Sequence, residues 1–278
     1  MDPRRGTATE VQQPTVDDRW REVLAGTHPQ FRYGRRLFRH LPSQPRCKLC
    51  AAPFRGPLGS VMRAVGKGPW PKNPKYCGSC FKQLTEHHGG AEIECSLLFA
   101  DVRGSTPMGE HLRPTEIRDL MERFFDSAAR VLVDHDAIVD KFVGDEIIGI
   151  FVPALTGERH AVRAVEAARA LMSETGNDGG DPWVPIGAGV HTGLAFVGSI
   201  GTGPHTELTA MGDRVNVAAR LGSAAGAGEI LITQETARAA GLDVSALERR
   251  DLELKGKSSV TTVHVLRARS SVEDADRP

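Results

Sequence analysis

The chain has 278 residues, of which 40% are hydrophobic and 25% are charged, and its formal net charge is zero. This is ordinary globular composition, sufficient for one large domain and one small one. The most apolar stretch, 147–155, is interrupted by Gly149 and Pro153 and is far shorter than the roughly 18 residues that a membrane span needs. The first residues, MDPRRGTATE, lack the apolar core of a signal peptide, so the sequence predicts a cytoplasmic protein without a membrane span.

Charge is unevenly distributed along the chain. Residues 1–92 carry 16 Lys and Arg against 7 Asp and Glu, whereas residues 93–278 carry 19 against 28. The simplest interpretation is two surfaces of opposite sign that face each other. Nucleic-acid binding by the basic part is the alternative, and it is not favoured because no basic motif is interleaved with aromatic residues.

The amino-terminal third divides into two predicted units. Residues 1–27 are predicted to be a flexible segment, within which Val16–Leu24 has the pattern of a short helix. Residues 28–90 are predicted to be a basic four-cysteine module followed by a linker at 87–90. The part between the cysteines, 47–80, is rich in Gly, Pro and Lys and cannot bury a core unaided, so a metal ion is the expected organiser.

Residues 93–267 are predicted to form the large domain, and residues 268–278 a disordered tail. From the spacing of apolar residues, the predicted helices are Pro114–Asp134, 158–173, 213–223 and Gln234–Ala240. The predicted strands are 95–102, 137–142, 146–152, 186–191, 194–199, Glu207–Met211, 229–233, 248–254 and 260–266. Two β-hairpins are predicted among them, one turning at 143–145 and the other at 192–193. Mixed strands and helices with hairpins indicate an α+β sandwich rather than a doubly wound parallel sheet.

Two aspartates stand at strand ends, where a loop can present a carboxylate to a ligand. Asp101 ends the first buried strand, and Asp145 lies in the first predicted hairpin turn. Such a pair can hold two Mg²⁺ or Mn²⁺ ions whose shells are completed by nucleotide phosphates; the alternative is that both are ordinary turn residues. Backbone N–H groups of the next segment are predicted to receive phosphate oxygens, namely those of Val102, Arg103, Gly104, Ser105 and Thr106.

Three motifs in this domain resemble a known family. FADVRGST at 99–106, DKFVGDEIIGIF at 140–151 and MGDRVNVAARL at 211–221 are similar, in order and spacing, to the class III adenylyl/guanylyl cyclase catalytic domain. The resemblance covers about residues 93–267. It implies a ferredoxin-like α+β fold that works as a head-to-tail homodimer, with active sites at the interface and Asp101 and Asp145 as the metal-binding aspartates.

The resemblance also implies the choice of base. Lys141 matches the adenine-reading lysine, and Thr209 occupies the companion purine-reading position, which is Asp in many members and Thr in a bacterial subgroup. Guanylyl cyclases typically carry Glu and Cys at these places. The implied activity is therefore adenylate cyclase, which converts ATP to 3′,5′-cyclic AMP and pyrophosphate. A guanylate cyclase, or a catalytically silent module that binds a nucleotide or a partner, are the alternatives.

The remaining implied roles concern the ribose and the phosphates. Asn216 matches the ribose-orienting residue and Arg220 the transition-state arginine, and a spacing of four places both on one face of a helix. Lys255 matches the lysine that meets the terminal phosphates, although Lys257 is close enough to compete for that role. In the family's dimer, one protomer supplies Asp101 and Asp145, and its partner supplies Lys141, Thr209, Asn216 and Arg220.

Four of the five cysteines form two CxxC pairs. Cys47 with Cys50 and Cys77 with Cys80 are separated by 26 residues, and such paired knuckles can hold Zn²⁺ tetrahedrally. An iron–sulfur cluster and unrelated buried thiols are the alternatives, and His87 and His88 are candidate substitute ligands. Cys95 lies in an apolar strand and is expected to belong to the core.

Overall fold

The computed structural model describes residues 15–38, 40–41, 44–71, 73–85, 89–201, 207–253 and 260–267; it does not describe the side chains of 83–85 and 106. The elements of the amino-terminal part are α1 (Val16–Leu24), α2 (Pro29–Phe38), α3 (Gly56–Ala64), β1 (Pro69–Trp70), β2 (Asn73–Cys77) and α4 (Gly78–Thr85). Among the described helices, none combines the length and the hydropathy needed to cross a bilayer.

The elements of the large domain alternate between strands and helices. Its strands are β3 (Gly89–Val102), β4 (Ile138–Val143), β5 (Glu146–Phe151), β6 (Ile186–Ile200), β7 (Glu207–Met211), β8 (Ile230–Thr233), β9 (Glu248–Leu252) and β10 (Thr261–Leu266). Its helices are α5 (Ser105–His111), α6 (Pro114–Asp134), α7 (Pro153–Thr156), α8 (His160–Glu174), α9 (Asp213–Ala224) and α10 (Gln234–Ala240), with a 3₁₀ turn at Gly157–Arg159.

One eight-stranded sheet organises the domain. Its order is β4-β5-β3-β6-β8-β10-β9, with β7 paired to β6. The pairs are antiparallel except for β6 and β8, which run parallel. Helices α6, α8 and α10 share a core with one sheet face, whereas α9 and the amino-terminal part share cores with the other. The predicted α+β class is therefore confirmed.

Local sequence explains the longest helix. Pro114 occupies the first turn of α6, and the Glu116 carboxylate accepts a hydrogen bond from the Arg113 backbone N–H at 2.8 Å. Phe124 and Leu132 lie on its fully buried stripe. Both ends of the predicted helix Pro114–Asp134 are confirmed, because the capping residues and the spacing of the apolar residues indicate the same bounds.

The second predicted hairpin is wrong. Instead of turning at 192–193, β6 continues from Ile186 to Ile200 and pairs with β3 from Ile186 to Ser199. Gly193 faces Cys95 in this ladder, and a Cβ built on Gly193 would lie 3.2 Å from the Arg214 side chain. The glycine therefore gives room to a side chain of α9 rather than making a turn.

The start of the first large-domain strand also differs from the prediction. Gly89 and Gly90, predicted as linker, already belong to β3, where they pair with Ser199 and Gly198. His87 and His88 lie outside the described residues. Helix α1 packs against this end of β3 with Trp20 buried, although residues 1–27 were predicted to be flexible. The boundaries between the predicted domains remain predictions.

The cysteine-containing part packs directly on the eight-stranded sheet. Phe31, Leu49 and Tyr76 are buried in one continuous core with Ile148 and Ile150 of β5. The module thus uses the sheet to bury apolar surface that its own short elements cannot cover.

An ionic contact joins the same two parts. Asp136, 3% exposed and in the left-handed conformation (φ 69°) between α6 and β4, has its carboxylate 2.5 Å from Lys48 Nζ and 3.6 Å from Lys75 Nζ. Lys75 also donates to the Asp134 carbonyl at 2.7 Å. The expected meeting of basic and acidic surfaces is found here, and it connects the module to the turn that leads into β4.

Candidate functional site

Three carboxylates meet at one edge of the sheet. Asp101 lies near the end of β3, directly opposite Glu146 at the start of β5. Asp145 precedes Glu146 in the tight β4–β5 turn, where Gly144 has φ 64° and so takes a conformation that favours glycine. The Val102 N–H donates to the Asp145 carbonyl at 3.3 Å, which fixes this turn against β3. The two predicted metal-binding aspartates are thus brought together by strand pairing.

The electrostatics of this cluster favour a bound cation. Burial raises the pKa of Asp101 to about 6, opposed by Arg103 and reinforced by Asp145, and Asp101 Oδ1 is buried without a hydrogen-bond partner among the described residues. Burial, followed by Asp101 and Asp145, raises the pKa of Glu146 to about 7. A divalent cation would satisfy the orphaned oxygen and stabilise the ionised carboxylates. These donors suit Mg²⁺ or Mn²⁺, as predicted.

Sequence reasoning missed Glu146. The usable signal was its place directly after Asp145, where a hairpin turn sets it across from Asp101. Its carboxylate adds negative charge to the site, so it strengthens the attraction for a cation while making the ion-free site less stable.

Glu146→Gln is expected to stabilise the metal-free protein above pH 7. The pKa of Glu146 is raised in the folded state, so its stabilising contribution is present below about pH 4.5 and is lost as pH rises through about 7. The neutral amide avoids this loss. Thermal unfolding in EDTA should give the variant the higher Tm at pH 8 and an equal Tm at pH 4.5. If the variant and the wild type have equal Tm values at pH 8 as well as at pH 4.5, the raised pKa of Glu146 is contradicted.

Arg103 links the carboxylates to α9. Its guanidinium lies 3.4 Å from Asp101 Oδ2 and donates to the carbonyls of Gly222 and Ser223 at the end of that helix. Gly187 leaves space for this side chain, since a Cβ there would lie 2.7 Å from Arg103 Nε. Only the backbone of Arg103 was predicted to take part, so its side-chain role is new.

The predicted phosphate-binding segment forms a turn into a short helix. Gly104 has φ 73° and precedes α5, which begins at Ser105, while Val102 closes β3 and is buried. First-turn N–H groups of a helix lack intrahelical acceptors, which is compatible with phosphate binding. The side chain of Thr106 lies outside the described part, and phosphate binding by this segment remains a prediction.

The two predicted purine-reading residues are neighbours in space. The Lys141 ammonium lies 3.1 Å from Glu207 Oε2, and the Thr209 hydroxyl donates to Asp140 Oδ2 at 2.7 Å. Strands β4 and β7 therefore meet through these two polar pairs. Burial raises the pKa of Asp140, while Thr209 and Lys141 lower it.

The predicted ribose and transition-state residues lie on α9. Asn216 is exposed and Arg220 is half-buried. No hydrogen bond or ion pair joins either of them to Asp101 or Asp145 within the described ranges. Lys255 and Lys257 lie outside the described residues.

The four paired cysteines form one compact cluster. The sulfurs of Cys47, Cys50, Cys77 and Cys80 all lie within 4.8 Å of one another, and those of Cys50 and Cys77 are 3.7 Å apart. A tetrahedral zinc site with bonds of about 2.3 Å places its sulfurs about 3.8 Å apart, so the cluster fits one ion. A [4Fe–4S] cube would hold the four thiolates farther apart.

Hydrogen bonds within the cluster lower the pKa values of Cys50 and Cys77 and raise those of Cys47 and Cys80, so the ion-free cluster contains both thiolates and thiols. The Cys77 N–H donates to Cys47 Sγ at 3.3 Å, and hydrogen bonds from Cys47, Cys50 and Cys80 hold the pKa of Cys77 well below that of an ordinary thiol. By contrast, burial raises the pKa of Cys95 to about 12. Cys95 therefore belongs to the core, as predicted.

The fold and these groups together define a type of site. An α+β domain with carboxylates at a sheet edge, beside a glycine turn and a helix start, is suited to a metal-bound nucleotide. The family model for the adenylate and guanylate cyclase catalytic domain matches residues 90–267. The chain belongs to this family.

Relatives of known name agree with this membership. The chain is 32% identical over 144 residues to adenylate cyclase 1 of Rhizobium meliloti, covering 49% of this chain and 22% of that protein. It is 28% identical over 184 residues to the adenylate cyclase of Anabaena cylindrica, covering 62% and 36%. The matched segments are thus no more than about a third of these curated relatives' length.

Solved structures show the same fold. The guanylyl cyclase Cya2 superposes with a TM-score of 0.58 at 28% identity, covering 64% of this chain and 93% of that one. The adenylyl cyclase CyaB from P. aeruginosa gives a TM-score of 0.55 at 28% identity, covering 65% and 97%. The resemblance identified from three motifs is therefore confirmed, as is the fold that it implied.

Proposed function

We propose that this chain is an adenylate cyclase that converts ATP to 3′,5′-cyclic AMP and pyrophosphate. The observation that carries the proposal is the meeting of Asp101 and Asp145 at one sheet edge, where Asp101 Oδ1 is buried and has no hydrogen-bond partner among the described residues. A silent module has no need of this destabilising arrangement. Named adenylate cyclases among the relatives support the same activity.

The chemistry follows from the residues. In the reaction, the ribose 3′ oxygen attacks the α-phosphorus, the 3′ hydroxyl proton is lost and pyrophosphate leaves. Two Mg²⁺ or Mn²⁺ ions, when bound, would supply charge neutralisation and a lower pKa for the 3′ hydroxyl. Asp101 and Asp145 would hold these ions, Asn216 would orient the ribose, and Arg220 would donate to phosphoryl oxygens as negative charge develops on them.

The base is proposed to be adenine because of Lys141 and Thr209. An ammonium donates to an acceptor nitrogen of adenine, and a hydroxyl can accept from its amino group. Guanine reverses the donor and acceptor at this edge and would leave buried groups unpaired, at about 1–3 kcal/mol each. Guanylate cyclase is the second candidate, favoured by the similarity to Cya2.

Product identification tests the activity and the base together. The purified chain is incubated with Mn²⁺ and either ATP or GTP, and the products are separated and identified by mass spectrometry. We expect cyclic AMP with a kcat/KM at least about tenfold above that for GTP. A preference for GTP would establish the guanylate cyclase instead, and binding of ATP without any cyclisation would establish the silent module.

The active site is proposed to be completed by a second copy of the chain. The supporting observation is that, in the described part of the chain, no hydrogen bond or ion pair joins Asn216 or Arg220 to Asp101 or Asp145. In a two-fold dimer, each of two equivalent sites takes its aspartates from one copy and its α9 residues from the other.

The cysteine cluster is proposed to hold one structural zinc ion that supports the catalytic sheet. Elemental analysis of the purified chain should find about one zinc per chain. Cys77→Ser should lose that zinc and lower the Tm, since one of four ligands is missing, whereas Cys95→Ser should retain it. Iron with a visible absorption spectrum, or zinc retained in full by Cys77→Ser, would refute the proposal.

A further inference from the structure

A β-bulge brings two neighbouring polar residues of β4 against β7. Val139 pairs with Gly149 and Phe142 with Ile147, so β4 has one residue more than β5 in this interval. Residues 140 and 141 lie in the bulge, and instead of pointing to opposite faces both reach β7, Asp140 to Thr209 and Lys141 to Glu207. Bulges commonly re-aim side chains next to active sites.

The contact with Asp140 fixes which way the Thr209 hydroxyl bonds. Thr209 is 8% exposed, and its hydroxyl proton is donated to Asp140 Oδ2 at 2.7 Å. A hydroxyl has a single proton, and an ionised carboxylate can only accept. Burial raises the pKa of Asp140, and this rise is opposed by the hydrogen bond from Thr209 and by the charge of Lys141, next in the chain. The Thr209 oxygen is thereby left with lone pairs only, so toward a ligand it acts as an acceptor.

An acceptor at this place distinguishes the two classes of purine. At C6, adenine carries an amino group, which donates, whereas guanine and hypoxanthine carry a carbonyl, which accepts. We propose that Asp140 is a specificity-determining positioning residue, which takes the only Thr209 hydroxyl proton and so makes Thr209 select 6-aminopurine nucleotides over 6-oxopurine nucleotides. The inference rests on the proposed function, in which Thr209 faces the base.

The mechanism predicts that Asp140 acts only through Thr209. Without the carboxylate the hydroxyl can rotate and donate to a 6-carbonyl as readily as it accepts from a 6-amino group. Asp140→Ala removes the acceptor, and Asp140→Asn keeps the shape while supplying a donor. Thr209→Val removes the hydroxyl itself, and in that background a change at Asp140 should have no further effect on base selection.

The test uses three triphosphates that differ at C6: ATP, inosine triphosphate, and purine riboside triphosphate, which has no substituent there. We expect wild type to prefer ATP over inosine triphosphate by roughly ten- to hundredfold in kcat/KM. Asp140→Ala should bring this ratio within about threefold of that in Thr209→Val, while kcat/KM for purine riboside triphosphate changes little. Dissociation constants of 3′-deoxy-ATP and 3′-deoxyinosine triphosphate, which cannot cyclise, should shift in parallel.

The outcomes separate this inference from the function on which it rests. A wild-type chain that cyclises no purine triphosphate refutes the proposed function. A wild-type preference for ATP that persists unchanged in folded Asp140→Ala, or in Asp140→Asn where only that variant folds, overturns the role of Asp140 alone. An equal loss of activity on all three triphosphates, with the ratio preserved, would show that Asp140 merely supports the structure. Either folded variant is sufficient for the decision.

Discussion

Asp101→Ala and Asp145→Ala should each lower kcat/KM for ATP by about 10³-fold or more. Each removes a carboxylate that is proposed to hold the metal ions, and bound metal ions contribute several kcal/mol of transition-state stabilisation. Folding should persist. Burial raises the pKa of Asp101 to about 6, so in the metal-free protein its ionised carboxylate opposes stability above that pH. Replacement of Asp101 by alanine therefore removes this destabilising contribution.

Steady-state kinetics with saturating Mn²⁺ measures this effect, and Mn²⁺ binding followed by electron paramagnetic resonance shows whether the ion is lost. Asp119→Ala is the matched control, because Asp119 is an exposed aspartate that pairs with Arg118 on α6. The control should retain wild-type activity. Turnover within tenfold of wild type in Asp101→Ala or Asp145→Ala, with Mn²⁺ still bound, would show that the carboxylates are not the ligands.

Asp136→Asn should lower the free energy of unfolding by about 2–3 kcal/mol. The substitution keeps the shape and tolerates the left-handed backbone at this turn, but it leaves Lys48 and Lys75 beside a buried site without a counter-charge. Loss of one partner of a fully buried ion pair costs about 3–5 kcal/mol. We expect the smaller loss of about 2–3 kcal/mol here because both lysines are partly exposed.

Urea unfolding of the zinc-loaded protein measures the loss, and hydrogen exchange shows where it occurs. Exchange should quicken in the module and in the first residues of β4, which the ion pair joins. Asp134→Asn is the matched control, since its carboxylate is 65% exposed and the pair with Lys75 should contribute less than about 1 kcal/mol. Equal stability of Asp136→Asn and wild type would mean that the module is held by apolar packing alone.

Patterns that are local in sequence predicted most of the fold. Helix α6 and helix α10 begin and end where capping and apolar spacing place them, and the β4–β5 turn lies where glycine permits it. The hairpin that was wrongly predicted at 192–193 also came from a local pattern, because a glycine between two apolar runs has the pattern of a turn. Its actual role, space for the Arg214 side chain, depends on a helix 20 residues later in the chain.

The site was predictable only where the family resemblance gives a residue a role. Asp101, Asp145 and Lys141 have such roles, whereas Asp140 and Glu146 lie in the same motif without one, and their partners are brought close only by a bulge and by strand pairing. Cysteine spacing predicted the four-sulfur cluster. The docking of the cysteine module on the sheet was indicated in the sequence only by the opposite net charges of the two parts of the chain. The sequence does not show which residues make the contact, because the pair between Lys48 and Asp136 joins residues 88 positions apart.

Mixing Asp101→Ala with Arg220→Ala protomers tests most directly whether two copies of this chain complete each active site. Each homodimer should be nearly inactive, since every site in it lacks one group. Random exchange makes about half of the dimers mixed, and each of these has one site with both lesions and one intact site. Activity should therefore recover to about a quarter of wild type, in proportion to subunit exchange followed by fluorescence energy transfer. A mixture that exchanges subunits fully and stays as inactive as its components would contradict the shared site.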